Sequence, residues 1–103
     1  MNTPAKYRKK PVITAAMRWD GTAQEATAII DWALSNDVSI HFRCRDQSGE
    51  CHTGEVGTHD LAIPTLEGTM LANPGDWIVR GTEGEFYPCK PAAFEATFEA
   101  VAE

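Results

Sequence analysis

Asn73-Pro74-Gly75-Asp76-Trp77-Ile78-Val79-Arg80-Gly81-Thr82-Glu83-Gly84-Glu85-Phe86-Tyr87-Pro88 is the stretch that decides the fold. Pro74 and Gly75 stand at the central positions of a type II turn, where proline supplies a fixed φ and glycine the positive φ that other residues resist. Trp77 to Arg80 then reads as a strand, Gly81 to Gly84 as a second turn, and Glu85 to Tyr87 as the returning strand. Pro88 has no backbone donor, so this strand must end there or lie at a sheet edge. Strands joined by so short a turn are antiparallel.

Working upstream, Leu61 to Leu66 and Thr69 to Ala72 flank Glu67-Gly68 as another pair of strands around a tight turn. Val38 to Cys44 alternates apolar and polar residues, the period of a half-buried strand. Asp46 to Gly57 is polar and reads as a loop or irregular hairpin. Val12 to Trp19 is mostly apolar, with β-branched Val12, Ile13 and Thr14, and predicts a buried strand that stops at Asp20-Gly21. Thr22 followed by Glu25 is a capping box, in which each side chain satisfies an unpaired N–H at a helix start. Ala26, Ile29, Ile30, Ala33 and Leu34 recur at helical spacing, so an amphipathic helix is predicted over about 22–35, ending near Ser35-Asn36-Asp37, with Trp32 at the margin of its stripe.

Downstream, Pro91 suits the first position of a short helix near 91–95, which Phe94 would pin to the sheet. The alternation of Phe94, Ala96 and Phe98 against Glu95, Thr97 and Glu99 predicts a final strand over 97–101. The expected architecture is a single α+β domain over 1–103, mainly an antiparallel β-sheet meander with one amphipathic helix and one short helix. Residues 1–10 are expected to form a flexible basic N-terminal segment.

Composition narrows the function. A chain of 103 residues with 43% hydrophobic and 23% charged side chains can bury a core without cross-links. No apolar run is long enough to span a membrane, and Met1 to Lys10 lacks the apolar stretch of a signal peptide, so a cytoplasmic protein is expected. Three cysteines, an odd number, suit a reducing compartment. A net charge of -6 argues against direct binding to nucleic-acid backbone. The charge is uneven: residues 1–45 carry seven basic and four acidic side chains, while 46–103 carry only Arg80 and Lys90 against eleven carboxylates.

His41, Cys44, Cys51, His52 and His59 contain enough donors for a zinc ion. Their spacings do not match the usual structural sites, and His41 and Cys44 would point to opposite faces of a strand, so they read as loop histidines and unpaired cysteines. Cys89 precedes Lys90 and a helix start, a setting that favours a thiolate, but no neighbouring histidine supplies a base. Asp76, Glu83, Glu85 and Glu95 form no recognisable acid/base pair, and Gly81-x-x-Gly84 lacks the rest of a phosphate loop. No catalytic residue and no cofactor are indicated. Arg80 and Lys90 remain, with two readings. Arg80 opposite Glu85 and Lys90 level with Asp76 would be cross-strand ion pairs. Alternatively, Arg80 and Lys90 with Trp77 and Tyr87 hold the phosphate and base of a small anionic ligand, with Arg43 and Arg45 as further candidates.

Pro74-Gly75-Asp76-Trp77-Ile78, Gly81, Gly84-Glu85, Tyr87-Pro88-Cys89-Lys90-Pro91, Phe94, Thr97, Phe98 and Glu99 together resemble the ending of a group of small bacteriophage and prophage proteins of unassigned function. Tyr7-Arg8-Lys9-Lys10-Pro11-Val12-Ile13, Arg18-Trp19, Gly21 and Leu66-Glu67-Gly68 are similar to them as well, whereas residues 36–59 fit no such pattern. The resemblance transfers no catalytic residue. It implies a setting, a phage-encoded accessory protein in a bacterial host cytoplasm. The expected function is therefore binding by a homo-oligomer, to a small nucleotide-like anion. The alternatives are acidic inhibition of a host defence or nucleic-acid-binding protein, and a cysteine-dependent enzyme.

Overall fold

The structure, a computed structural model, describes residues 3–8, 10–44 and 59–101. In chain order it contains β1 (Ala15–Arg18), α1 (Ala23–Leu34), β2 (His41–Cys44), β3 (His59–Thr65), β4 (Gly68–Ala72), β5 (Trp77–Arg80), β6 (Phe86–Cys89) and α2 (Pro91–Thr97). The strands form two three-stranded antiparallel sheets, β1-β5-β6 and β2-β3-β4, so the α+β expectation holds. The predicted stretch 46–57 lies outside the described residues.

The Asn73–Asp76 turn carries the chain from one sheet to the other. Asp76 N–H donates to the Asn73 carbonyl at 3.0 Å and Gly75 has φ +95°, the geometry of a type II turn. Trp19 N–H donates to the Asp76 carbonyl at 3.0 Å and Gly75 N–H to the Trp19 carbonyl at 2.7 Å, which extends the pairing of β1 with β5 into the turn. The Asp76 carboxylate accepts Asn73 N–H from inside the same turn at 2.9 Å.

α1 starts where its cap predicts. Thr22 Oγ1 accepts the Glu25 N–H at 3.1 Å, while Thr22 N–H donates to Asp20 Oδ1 at 2.9 Å. Asp20, rather than Glu25, thus supplies the second half of the expected capping box. The helix ends with Asp37 N–H on the Leu34 carbonyl and Val38 N–H on the Ala33 carbonyl, and Asp37 takes φ 63°. That is a Schellman ending with aspartate in the place usually taken by glycine.

Ala26, Ile29 and Ala33 of α1 meet Ile78 and Phe86 of the first sheet and Leu61, Ile63 and Ala72 of the second in one buried cluster with Trp19 and Ile40. Burying each large side chain there contributes roughly 1.5–3 kcal/mol. Trp32, at the stripe margin, sets its ring edge-on to Phe86 at 4.9 Å. Leu34, predicted to belong to the stripe, is instead half-exposed.

Several predicted strands change, and of Val38 to Cys44 only His41–Cys44 is strand. Of Val12 to Trp19 only Ala15–Arg18 is strand, and Ile13 is 80% exposed. Ala15 pairs with Arg80, the last residue of β5, so nothing remains for residues 12–14 to pair with. The strand predicted over 97–101 is absent: α2 runs to Thr97, and Phe98 N–H donates to the Phe94 carbonyl at 2.8 Å. Pro88 lies in β6, an edge strand, as its missing donor demands.

Candidate functional site

Alternation along β5 and its pairing partners sort the expected ligand residues onto two faces of the first sheet. Trp77 and Val79 point one way, Ile78 and Arg80 the other, and residues paired across strands share a face. One face therefore carries Arg18, Trp77 and Cys89 in a cross-strand row, with Tyr87 beside them. The opposite face carries Arg80 with Phe86 and Ala15. The structure brings Trp77 and Tyr87 to one side and sets Arg80 on the other.

Trp77 is covered by α2. Its ring stacks on Phe94 at 4.0 Å and 6°, and Phe94 stacks in turn on Phe98 at 4.9 Å. Phe94 thus pins α2 to the sheet as its position predicts. Tyr87 is half-buried on this face; burial first, then electrostatic interaction with Cys89 and Glu85, pushes its phenol above the ordinary value of 10.0. Cys89 is half-buried, with its thiol 3.7 Å from the Lys90 carbonyl.

Lys90 caps α2 and reaches Asp76, Nζ to Oδ2 3.0 Å. This is the cross-strand partner that sequence level predicts. Arg43 likewise reaches the buried Asp60, Nε to Oδ1 3.1 Å. Arg80 differs. It pairs in register with Phe86 and not with Glu85, because Gly81 N–H takes the Glu85 carbonyl at 2.6 Å and leaves Glu85 in the loop. The Glu85 carboxylate accepts Glu83 N–H at 3.0 Å, and the expected Arg80–Glu85 ion pair does not form. Arg80 Nε is buried and has no hydrogen-bond partner among the described residues.

His59 is fully buried on β3 and stacks on Phe42 at 4.5 Å; its cross-strand neighbour is the exposed Cys44. His41 lies at the other end of β2, with the opposite parity to Cys44. Among the described residues no three His, Cys, Asp or Glu side chains gather where they could hold a metal ion. Cys51, His52 and Arg45 lie outside the described residues.

An open depression of about 420 Å³ is lined by Arg18, Asp20, Pro74 and Gly75. Arg18 Nε donates to the Gly75 carbonyl at 3.3 Å, and Thr22 donates to Asp20 through Oγ1 at 2.6 Å. Those Thr22 bonds hold the Asp20 carboxyl below its ordinary value. Arg18 is not among the candidate ligand residues that the sequence suggests. Its place beside Trp77 follows from β1 pairing with β5, and the only signal for that pairing was the apolar character of 12–19.

The fold and these sites define a small antiparallel α+β protein in which, among the described residues, Asp60 and Asp76 are paired with cations and Arg80 Nε is buried without a partner. Comparison with protein-family models, curated proteins and solved structures finds no significant match. Among the described residues no helix is long and apolar enough to cross a membrane.

Proposed function

We propose that this chain is a non-catalytic binding protein that takes up a small anionic, nucleotide-like ligand, with Arg80 as the residue that meets its charge. The observation that supports the reading is the buried Arg80 Nε, which has no acceptor among the described residues. A buried donor left without a partner costs about 1–3 kcal/mol, and an anion at the guanidinium would remove that cost. Lys90 and Arg43 are already committed to Asp76 and Asp60, so they serve the scaffold. Trp77 does the same through Phe94, and Tyr87 stands on the face away from Arg80. In the setting that the phage resemblance implies, the ligand is a host signalling nucleotide.

The test is a thermal-shift panel of mononucleotides, cyclic nucleotides and inorganic phosphate against wild type, Arg80→Ala and Arg80→Lys. The expected result is stabilisation of wild type by a nucleotide, abolished in Arg80→Ala and reduced in Arg80→Lys, because lysine keeps the charge without the forked donors. Equal stabilisation of wild type and Arg80→Ala would overturn the assignment.

A further inference from the structure

Among the described residues four strands form sheet edges, and three of them carry a feature that discourages pairing with another chain. β6 contains Pro88, β2 carries Arg43 and His41, and β1 ends in the exposed Arg18. Proline and charge are the usual means of blunting an edge. β4, Gly68-Thr69-Met70-Leu71-Ala72, has no charge and no proline, and it is exposed along all but its last residue. Among the described residues it pairs only with β3. Met70 lies on the core face with Ala72 and Leu71 on the other face, yet they are 43% and 44% exposed.

The register says which backbone groups of β4 are available. Pro64 pairs with Thr69 and has no N–H to give, so that pair is a non-hydrogen-bonded one; alternation makes Ala62 and Leu71 another. The N–H and C=O groups of Thr69 and Leu71 therefore point away from β3, to the open edge. An antiparallel copy of the same strand, related by a two-fold axis through Met70, sets Thr69 opposite Leu71 of the second copy and the reverse. That register uses all four outward groups on each side and needs no foreign sequence.

Charge fits the same arrangement. Glu67 comes opposite Asn73 of the second copy, two residues short of Gly75, whose carbonyl holds the Arg18 side chain. Each end of the paired strands thus brings a carboxylate toward a guanidinium, while the two Glu67 carboxylates stay about 20 Å apart along the strands.

We infer that β4 is a self-association edge, and that two chains join through antiparallel β4 strands into one continuous sheet. A second copy is the occupant because the pairing is self-complementary in backbone groups, apolar side chains and end charges.

Sedimentation velocity over a wide concentration range tests it, together with cross-linking. Wild type is expected to show a monomer–dimer equilibrium, and Leu71→Lys, which sets a charge opposite Thr69 of the second copy in that register, to sediment as a monomer with an unchanged circular dichroism spectrum. Met70→Cys, in a background with Cys44, Cys51 and Cys89 replaced by serine, is expected to form a covalent dimer on mild oxidation, since residues facing across a non-hydrogen-bonded pair are within disulfide reach. A monomeric wild type at the highest concentration, a dimer that persists in Leu71→Lys, or a Met70→Cys chain that does not cross-link would each overturn the inference. Arg80→Ala tests the ligand reading separately, because Arg80 lies on the other sheet.

Discussion

Lys90 and Asp76 meet at 3.0 Å, the ammonium largely in solvent and the carboxylate almost wholly buried. The same carboxylate accepts the Asn73 N–H, so one acidic side chain ties the inter-sheet turn to the start of α2. Asp76→Ala removes both bonds and is expected to destabilise the fold by about 2–3 kcal/mol in urea unfolding. Lys90→Ala leaves the turn bond intact and should cost about 1–2 kcal/mol. Equal losses in the two variants would mean that the turn bond adds nothing.

Gly75 holds φ +95° in that turn, and a Cβ there would meet nothing nearer than Arg18 Nη2 at 4.0 Å. Space is therefore not the constraint; backbone conformation is. Gly75→Ala is expected to cost about 1–2 kcal/mol, and Gly75→Asn less, because asparagine tolerates the left-handed region. Chemical denaturation of the pair reads the difference, and an alanine variant as stable as wild type would show the turn to be of another type.

Asp37 presents the converse case. It closes α1 with φ 63° and is exposed, so its side chain brings the strain of that conformation without packing in return. Asp37→Gly is expected to raise stability by about 0.5–1 kcal/mol. A lowered melting temperature would indicate that the aspartate side chain secures the helix end.

Most of this architecture is legible in the sequence where one residue type admits one conformation. Pro74-Gly75 specifies its turn, Thr22 the start of α1, and Pro91 the start of α2. Legibility fails where two periodicities coincide. Phe94 and Phe98 are four apart, which puts them on one face of a strand and equally on one face of a helix. The helix extends to Thr97 with Phe94 stacked on Trp77, while Phe98 is extended and 98–101 find no strand to pair with among the described residues. Arg80 fails for a different reason. Lengthening the β5–β6 loop by one residue shifts its partner from Glu85 to Phe86, and no local pattern reports that shift. Arg18 depends on β1 pairing with β5, a contact between residues far apart in the chain.

Tyr87 gives a pH dependence with a definite sign. Burial, and then Cys89 and Glu85, raise its folded-state value above 10.0, so the folded chain holds the phenolic proton more tightly than the unfolded chain does. The associated stability is fully present below the unfolded value near 10 and is lost as pH rises through the higher folded value. In a Tyr7→Phe background, where Tyr87 is the remaining tyrosine, tyrosinate absorbance should titrate above pH 10 in the folded protein. Glu85→Gln should lower that midpoint slightly while leaving it raised, since burial is the larger cause. A midpoint at the ordinary value would show Tyr87 to be solvated.

The Trp77–Phe94 stack decides whether α2 is held by ring geometry or only by apolar area. Parallel rings at 4.0 Å bury a face of each, and stacked aromatic pairs contribute about 0.5–1.5 kcal/mol beyond that area. Phe94→Leu keeps much of the area and loses the stacking, so it is expected to cost about 1 kcal/mol. Phe94→Ala loses both, and with Phe94 only half-buried the expected cost is about 2–3 kcal/mol, below that of a fully buried phenylalanine. Removing the ring also uncovers the Trp77 face, so tryptophan emission should shift to longer wavelength in Phe94→Ala and much less in Phe94→Leu. If leucine costs as much as alanine, the stacking itself holds α2 in place; if leucine costs nothing, α2 needs only an apolar side chain at residue 94, and the ring pair is incidental to its docking.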